Sequence, residues 1–304
     1  MRAIAALIVL SMCAACDRTT SPTPSGALNV PPLASSVPAP AARPVYRYDL
    51  QLAITGASAT SASSFAVGVS EASPGSVSFS HNVPSGNARY DVGVTVKARL
   101  AMAGSEPRLT LEAVITSLGN DGKPFRTTLE GTAATPADKT SAVIDAMDGG
   151  RHVILSATPV APTSLGTSTL TTSAAPASHQ VDVVLVEGPE KSPSKLTPLV
   201  LKLEGEAPVV VKKGESVPLS VGDGGAVTPR QDTGIRVKAS ARPYTTGIAL
   251  DFDLEASLVE APSSIRRIVL RGPVLVAFDK KTSVLVAEED GHRYEVIVTA
   301  HPPK

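Results

Sequence analysis

Apolar and polar residues alternate with a period of two along most of the chain from residue 45 onward. The alternation is clearest in RLTLEAVI (108–115), IALDFDLEASLVE (248–260) and TSVLVAEE (282–289). This period is typical of β-strands that have one buried and one exposed face. Turn-forming stretches such as GNDGK (119–123) and EDGH (289–292) separate the alternating segments, none of which has a helical period. The pattern predicts an all-β fold built from antiparallel sheets.

The stretch DVGVTVKA (91–98) recurs 141 positions later as DTGIRVKA (232–239), and this offset aligns residues 91–150 with 232–291 without a gap. Identities and alternation both persist along the alignment, which predicts two copies of one β-domain. The landmarks of the repeat are Asp91, Gly93 and Lys97 in copy one and Asp232, Gly234 and Lys238 in copy two. We interpret them as structural, with Gly93 and Gly234 marking a β-bulge or a close backbone approach.

Composition divides the chain into segments of different character. Residues 1–15 are predicted to be a signal peptide, and residues 16–44 a disordered tether rich in Pro, Ser and Ala. Residues 45–158 and 179–304 are predicted to form two tandem antiparallel β-sandwich-like domains, joined by a charge-free linker at 159–178.

The N-terminal segment MRAIAALIVLSMCAAC places one arginine before a short apolar run and small residues, which is the layout of a secretory signal peptide. The run is too short to span a membrane, for which about 20 apolar residues are needed. Both cysteines of the chain lie here, and CAAC (13–16) resembles the lipobox of bacterial lipoproteins. The resemblance implies a lipid on Cys16. The alternative is cleavage after Ala15 or slightly beyond, which leaves a soluble periplasmic or secreted protein.

Copy two runs VVVKKGESVPLS, QDTGIRVKASARP, GIALDFDLEASLV and KKTSVLVAEEDGHRYEVIV in that order. This order resembles the core β-domain of bacterial secretins and of related small envelope proteins, over about 90 residues of each copy. Secretins also carry mixed α/β domains ahead of the core and a membrane-inserting lip within it, which this chain replaces with a tether and a second β-domain. The strands are short and charged, so we do not expect a membrane pore.

Other chemistry has little support in the sequence. The five histidines are scattered, the net charge is zero, and no Gly-Xaa-Ser-Xaa-Gly elbow or phosphate-binding loop occurs. MDGGRH (147–152) is typical of an Asp-Gly hairpin turn rather than a metal site. The acids at 251, 253 and 255 alternate with apolar residues, which predicts a solvated strand face. The basic pairs at 212–213, 266–267 and 280–281 are predicted to be solvated too, or else to mark a partner surface.

These observations predict a non-catalytic lipoprotein of the bacterial envelope that binds or scaffolds an envelope protein, with no cofactor, no metal and no nucleic acid. It would be held at a membrane through the lipid on Cys16 and face the periplasm or the cell surface. Exposed sheet edges would offer β-augmentation as the mode of contact. One alternative is an accessory component of a secretin-like export or pilus apparatus. A second is a secreted soluble β-protein.

Overall fold

The computed structural model describes residues 44–56, 60–85, 88–119, 121–161, 178–188, 195–218, 230–261, 264–289 and 292–303. The predicted signal peptide, the predicted tether up to residue 43 and residues 162–177 of the predicted linker lie outside these ranges. The described residues form strands and turns and contain no helix, which confirms the all-β fold.

The described residues form sixteen strands. In chain order they are β1 (Tyr46–Thr55), β2 (Thr60–Val69), β3 (Gly75–Ser85), β4 (Ala88–Ala103), β5 (Glu106–Leu118), β6 (Pro124–Ala134), β7 (Ser141–Asp148), β8 (Arg151–Val160), β9 (Ser178–Glu187), β10 (Lys195–Glu204), β11 (Val209–Pro218), β12 (Arg230–Tyr244), β13 (Gly247–Ala261), β14 (Ser264–Ala277), β15 (Thr282–Glu289) and β16 (His292–Ala300).

The strands form two eight-stranded antiparallel sheets, which confirms the sandwich-like architecture. Sheet I has the order β10-β9-β16-β15-β2-β1-β8-β7, and sheet II has the order β11-β12-β13-β14-β3-β4-β5-β6. Each copy of the repeat supplies four neighbouring strands to each sheet. The sheets are therefore continuous across both copies, a feature that the sequence did not predict.

The two copies are joined head to tail. In sheet II the last strand of copy two, β14, pairs with the first strand of copy one, β3, from Ile265↔Asn82 to Arg271↔Ser76. In sheet I, β15 meets β2 at Glu288↔Ser64. The counterparts of these four strands in the other copy are β6, β11, β7 and β10, and they lie at the ends of the sheets. We call these the β10/β11 end and the β6/β7 end.

One hydrophobic core runs between the sheets and includes residues of both copies. Strand β13 shows how the alternation builds it, because Leu250, Phe252 and Leu254 are buried while the side chains between them point outward. Burying one such side chain stabilises the fold by about 1.5–3 kcal/mol. On the outer face Asp253 pairs with Arg271 at 3.2 Å, as expected for a solvated strand face.

Arg266 lies in the junction between the copies and is only 3% exposed. Its guanidinium carbon lies 4.8 Å from the ring centroid of Phe79 and 4.9 Å from that of Tyr294. The prediction that the 266–267 pair is solvated is therefore wrong for Arg266. A buried guanidinium is costly to desolvate, and the two aromatic faces offset part of that cost, at roughly 2 kcal/mol for a desolvated cation–π contact.

Three glycines let the two sheets touch backbone to backbone beside this junction. A Cβ added at Gly68 of β2 would lie 1.9 Å from the Pro273 carbonyl oxygen of β14. One added at Gly272 would lie 2.6 Å, and one at Gly75 2.2 Å, from the Gly68 carbonyl oxygen. Any side chain at these positions would push the sheets apart, so the crossing requires glycine.

Replacing Gly68 by alanine tests the crossing. Because the new Cβ would collide with the carbonyl of Pro273, we expect the free energy of unfolding in urea to fall by about 3 kcal/mol or more. Gly104→Ala is the matched control, since a Cβ there meets nothing within 4 Å and only its positive φ of 67° opposes the change, at about 1–2 kcal/mol. Equal losses in the two variants would contradict the role of the crossing.

Candidate functional site

An open groove lies between the sheets at the β10/β11 end, with a volume of about 880 Å³ that includes solvent at its mouth. Its apolar walls come from one residue of β9, one of β12 and two of β13. They are Leu185, Ile235, Leu258 and Val259. Polar groups of β10, β11, β12 and β13 border the groove. They include Lys195, Thr197, Lys213, Glu215, Thr233 and Ser257.

Exposed apolar side chains concentrate on the outermost strands. Among the described residues six large apolar side chains are strongly exposed, and five of them lie on β6, β7, β10 or β11. The β10/β11 end carries Leu196, Val200 and Val210, which are 58%, 52% and 47% exposed, and the sixth residue, Val259 at 51%, lines the groove. Single exposed apolar residues are ordinary on protein surfaces, but a group at sheet edges is typical of an interaction surface.

Comparison of the copies explains why the groove is open. Cross-strand register makes Phe79 and Ser80, which lie opposite Val94 and Gly93, the counterparts of Lys213 and Gly214, which lie opposite Ile235 and Gly234. In copy one the free side of this strand is covered by β14. In copy two no described strand covers β11. The groove is thus the copy-two equivalent of the surface that β14 covers in copy one.

Charged and polar side chains lie close to β11 and to the neighbouring outer strand β10. Lys213 Nζ donates to the Pro198 carbonyl oxygen of β10 at 3.4 Å, and Lys195 pairs with Glu187 at 3.5 Å. Thr233 Oγ1 donates to the Glu215 carbonyl oxygen at 3.1 Å. Lysines and a proline on outer strands oppose unselective edge-to-edge pairing. The arrangement offers apolar contacts, backbone groups and cations to an extended polypeptide.

The predicted landmarks do not assemble into one site. Gly234 lines the groove, whereas Asp232 lies outside its lining and Lys238 is exposed further along β12. In copy one, Asp91 accepts a hydrogen bond from Asn82 at 2.8 Å and Lys97 pairs with Glu112 at 2.8 Å. Cys16 lies outside the described residues.

The two repeated glycines occupy places where neighbouring strands come close. Gly93 has a φ of 154° and Gly234 one of 123°. An added Cβ would lie 2.1 Å from the Phe79 carbonyl oxygen at Gly93 and 2.2 Å from the Lys213 carbonyl oxygen at Gly234. The strand register is unbroken at both positions, so the geometry there is a close approach without a bulge.

The turn at 147–152 is a two-residue hairpin. Asp148 lies opposite Arg151, and Gly149 and Gly150 both have positive φ, of 54° and 78°, as a type I′ turn requires. A hydrogen bond from Thr127 at 2.7 Å is the main cause that lowers the pKa of Asp148. Within the described ranges no group of three or more His, Cys, Asp or Glu side chains is arranged to hold a metal ion.

A second polar cluster, which sequence reasoning missed, surrounds His301. Its Nε2 lies 2.9 Å from Asp182 Oδ2 and its Nδ1 lies 3.0 Å from Asp279 Oδ1. The hydrogen bonds to Asp182 and Asp279 raise the pKa of His301 above its usual 6.5. The three residues come from β9, the β14–β15 turn and the segment after β16, so no local pattern in the sequence brings them together.

No protein-family model matches the chain, and neither does any curated protein. Three secretin structures are similar to it. They are the type II secretin GspD of enteropathogenic Escherichia coli (10% identity, 85% of this chain and 69% of that one, TM-score 0.27), the ETEC pilotin–secretin complex AspS–GspD (10%, 86% and 50%, 0.27) and the V. cholerae type IV competence pilus secretin PilQ (9%, 88% and 62%, 0.22). The chain spans half to about two thirds of their lengths. The matches confirm the resemblance to secretin β-domains, and at these TM-scores they support no functional argument.

The described part of the chain contains no helix of the length and apolarity needed to cross a bilayer.

The His301 cluster predicts an ordered response to substitution. Asp182→Asn should lower the pKa of His301 toward 6.5, and Asp279→Asn should lower it less, because the bond to Asp182 contributes more. An NMR titration of the imidazole measures both. Since the folded-state pKa is raised, the stabilisation by this cluster is fully present below pH 6.5 and is lost as pH rises through the folded pKa. An unchanged His301 pKa in both variants would contradict the assignment.

Proposed function

We propose that this protein is a non-catalytic lipoprotein of the bacterial cell envelope that binds a protein partner at the β10/β11 end. The partner supplies an extended segment that lies in the groove against β11, in the manner of β-augmentation. The lipid on Cys16 holds the protein at a membrane, and the Pro-rich segment at 16–44 acts as a tether. Neither a cofactor nor a reaction is part of the proposal.

The observation that carries the proposal is the difference between the two ends of the repeat. The copy-one surface of β3 is covered by β14, with Arg266 inserted between aromatic rings. The corresponding surface of copy two is open, and its lining includes Val259, which is 51% exposed. A partner that covers Val259 removes its exposed apolar area from water at about 25 cal/mol per Å², which favours binding.

The sequence resemblance to secretin β-domains favours a second candidate, an accessory component of a secretin-like export or pilus apparatus. This candidate uses the same groove and differs in the identity of the partner. Cross-linking from the groove therefore distinguishes the two, because recovery of a secretin component supports the apparatus and recovery of another envelope protein supports the general scaffold.

Photo-cross-linking in intact cells tests the groove. A benzophenone side chain at Thr197, which lines the groove on β10, should form an adduct with one envelope protein. Adding Val259→Asp should abolish that adduct, because a carboxylate in the apolar wall is costly to bury. Met147→Asp is the matched control, since Met147 is 70% exposed at the opposite end. An adduct that survives Val259→Asp, or no adduct at all, would refute the proposed docking site.

Metabolic labelling with a palmitate analogue tests the anchor. The wild type and a Cys13→Ser variant should be labelled, whereas Cys16→Ser should lose the label and leave the membrane fraction. The Cys13→Ser variant is the matched control because it changes the only other cysteine of the chain. Equal labelling of the Cys16→Ser variant and the wild type would sink the lipid anchor and favour a secreted soluble protein.

A further inference from the structure

Strand β6 is the outermost strand of sheet II at the β6/β7 end. It pairs with β5 along its whole length, from Arg108↔Ala134 to Leu118↔Pro124, and no other described strand pairs with its second edge. The copy-two counterpart of β6 is β14, which uses that same edge to pair with β3. The fold therefore already uses this edge for strand pairing once, inside the chain.

The outer face of β6 differs from that of β14 in its charges. In copy two, Arg271 lies opposite Asp253 and pairs with it at 3.2 Å, and Arg267 pairs with Glu255. In copy one the residue in the position of Arg271 is Glu130, and it lies opposite Glu112. Like charges directly across a sheet are destabilising. The two copies therefore differ at the positions where opposite charges form ion pairs on this strand in copy two.

Glu130 forms no ion pair within the described part of the chain, whereas Arg126 lies close enough to Glu112 to help lower the pKa of that carboxyl after the larger effect of Lys97. Glu112 is held by Lys97 at 2.8 Å, which leaves Glu130 with an acid as its cross-strand neighbour. Arg126 is the counterpart of Arg267. The acid that pairs with Arg267 in copy two is Glu255, and the residue at its position in copy one is Val114. Both Arg126 and Glu130 are exposed on the outer face of the sheet.

We propose that β6 pairs antiparallel with β6 of a second copy of this chain, about a two-fold axis at Thr128. In that register Arg126 lies opposite Glu130 of the partner subunit, and the symmetry repeats the pair on the other side of the axis. Thr127 lies opposite Leu129 of the partner subunit. Phe125, which is 47% exposed in one copy, gains cover from the partner's strand.

The alternative self-association continues the head-to-tail order, with β11 of another copy taking the place of β3 against β6. The register of β14 with β3 would then place Glu215 against Phe125 and Lys213 against Thr127 on the core-facing side. In that register neither Glu215 nor Lys213 would meet an opposite charge on β6. The two-fold pairing joins opposite charges instead, and isologous dimers are the commonest oligomers.

The dimer is independent of the proposed partner site. Strands β6 and β11 are the opposite outermost strands of sheet II, so pairing through β6 leaves both grooves open. A failure of the dimer would leave the proposed function unaffected, and a failure of the groove to bind a partner would leave the dimer unaffected.

Disulfide trapping tests the register in the full chain with Cys13→Ser and Cys16→Ser, which removes both natural cysteines. Thr128→Cys places the thiols on the axis, where paired Cα atoms are about 4.5–5.5 Å apart and fit a disulfide. Thr132→Cys is the matched control on the same strand, because its two copies would lie about 27 Å apart. We expect mild oxidation to dimerise the Thr128→Cys variant more than about tenfold faster. Equal rates, or no dimer of either variant, would overturn the proposal.

Charge exchange gives a second measurement that needs no cysteine. Sedimentation analysis of the same background should show a dimer that weakens with Arg126→Glu or Glu130→Arg, since each change creates two like-charge pairs across the axis. The double variant Arg126→Glu/Glu130→Arg should restore the dimer. All four positions tested on β6 are exposed, so the variants should keep the fold. A double variant that remains monomeric would count against the two-fold register.

Discussion

The pairing of β14 with β3 is the interaction on which the rest of the structure depends. It makes sheet II continuous across two copies of a repeat, so one core replaces two smaller ones. The aromatic clamp on Arg266 fixes this junction from the core side, and the glycine crossing at Gly68 and Gly272 fixes it where the sheets touch. The same junction determines which strands are left at the ends, and therefore which surfaces face solvent.

Local alternation predicted individual strands well because each has one buried and one exposed face. TSVLVAEE, for example, coincides with β15. Strand β2 gives a much weaker signal, since its first five residues are TSASS and its apolar side chains are grouped near its end. The join between copies was not predicted, because it brings together side chains such as Arg266 and His81 that are 185 positions apart. From sequence alone, an arginine in a strand is predicted to be exposed to solvent, because its distant aromatic neighbours are not known.

The candidate site was predictable only in part. The repeat drew attention to Gly234, which does line the groove region. The same stretch is covered in one copy and open in the other because of the order of strands in the sheets. That order could not be predicted from the sequence. The two copies share a backbone pattern and differ in a few edge residues, such as Lys213 in place of Phe79 and Glu130 in place of Arg271. Those differences give each end of the sandwich its own chemistry.

The head-to-tail order also bears on how such a protein changes in evolution. Because each copy joins the next through the same pair of edges, a further gene duplication could insert a third copy between the existing two. The new copy would be covered on both sides, and the terminal surfaces would stay as they are. Repeat number would then set the length of the molecule, while the two ends would keep their separate histories of mutation and selection.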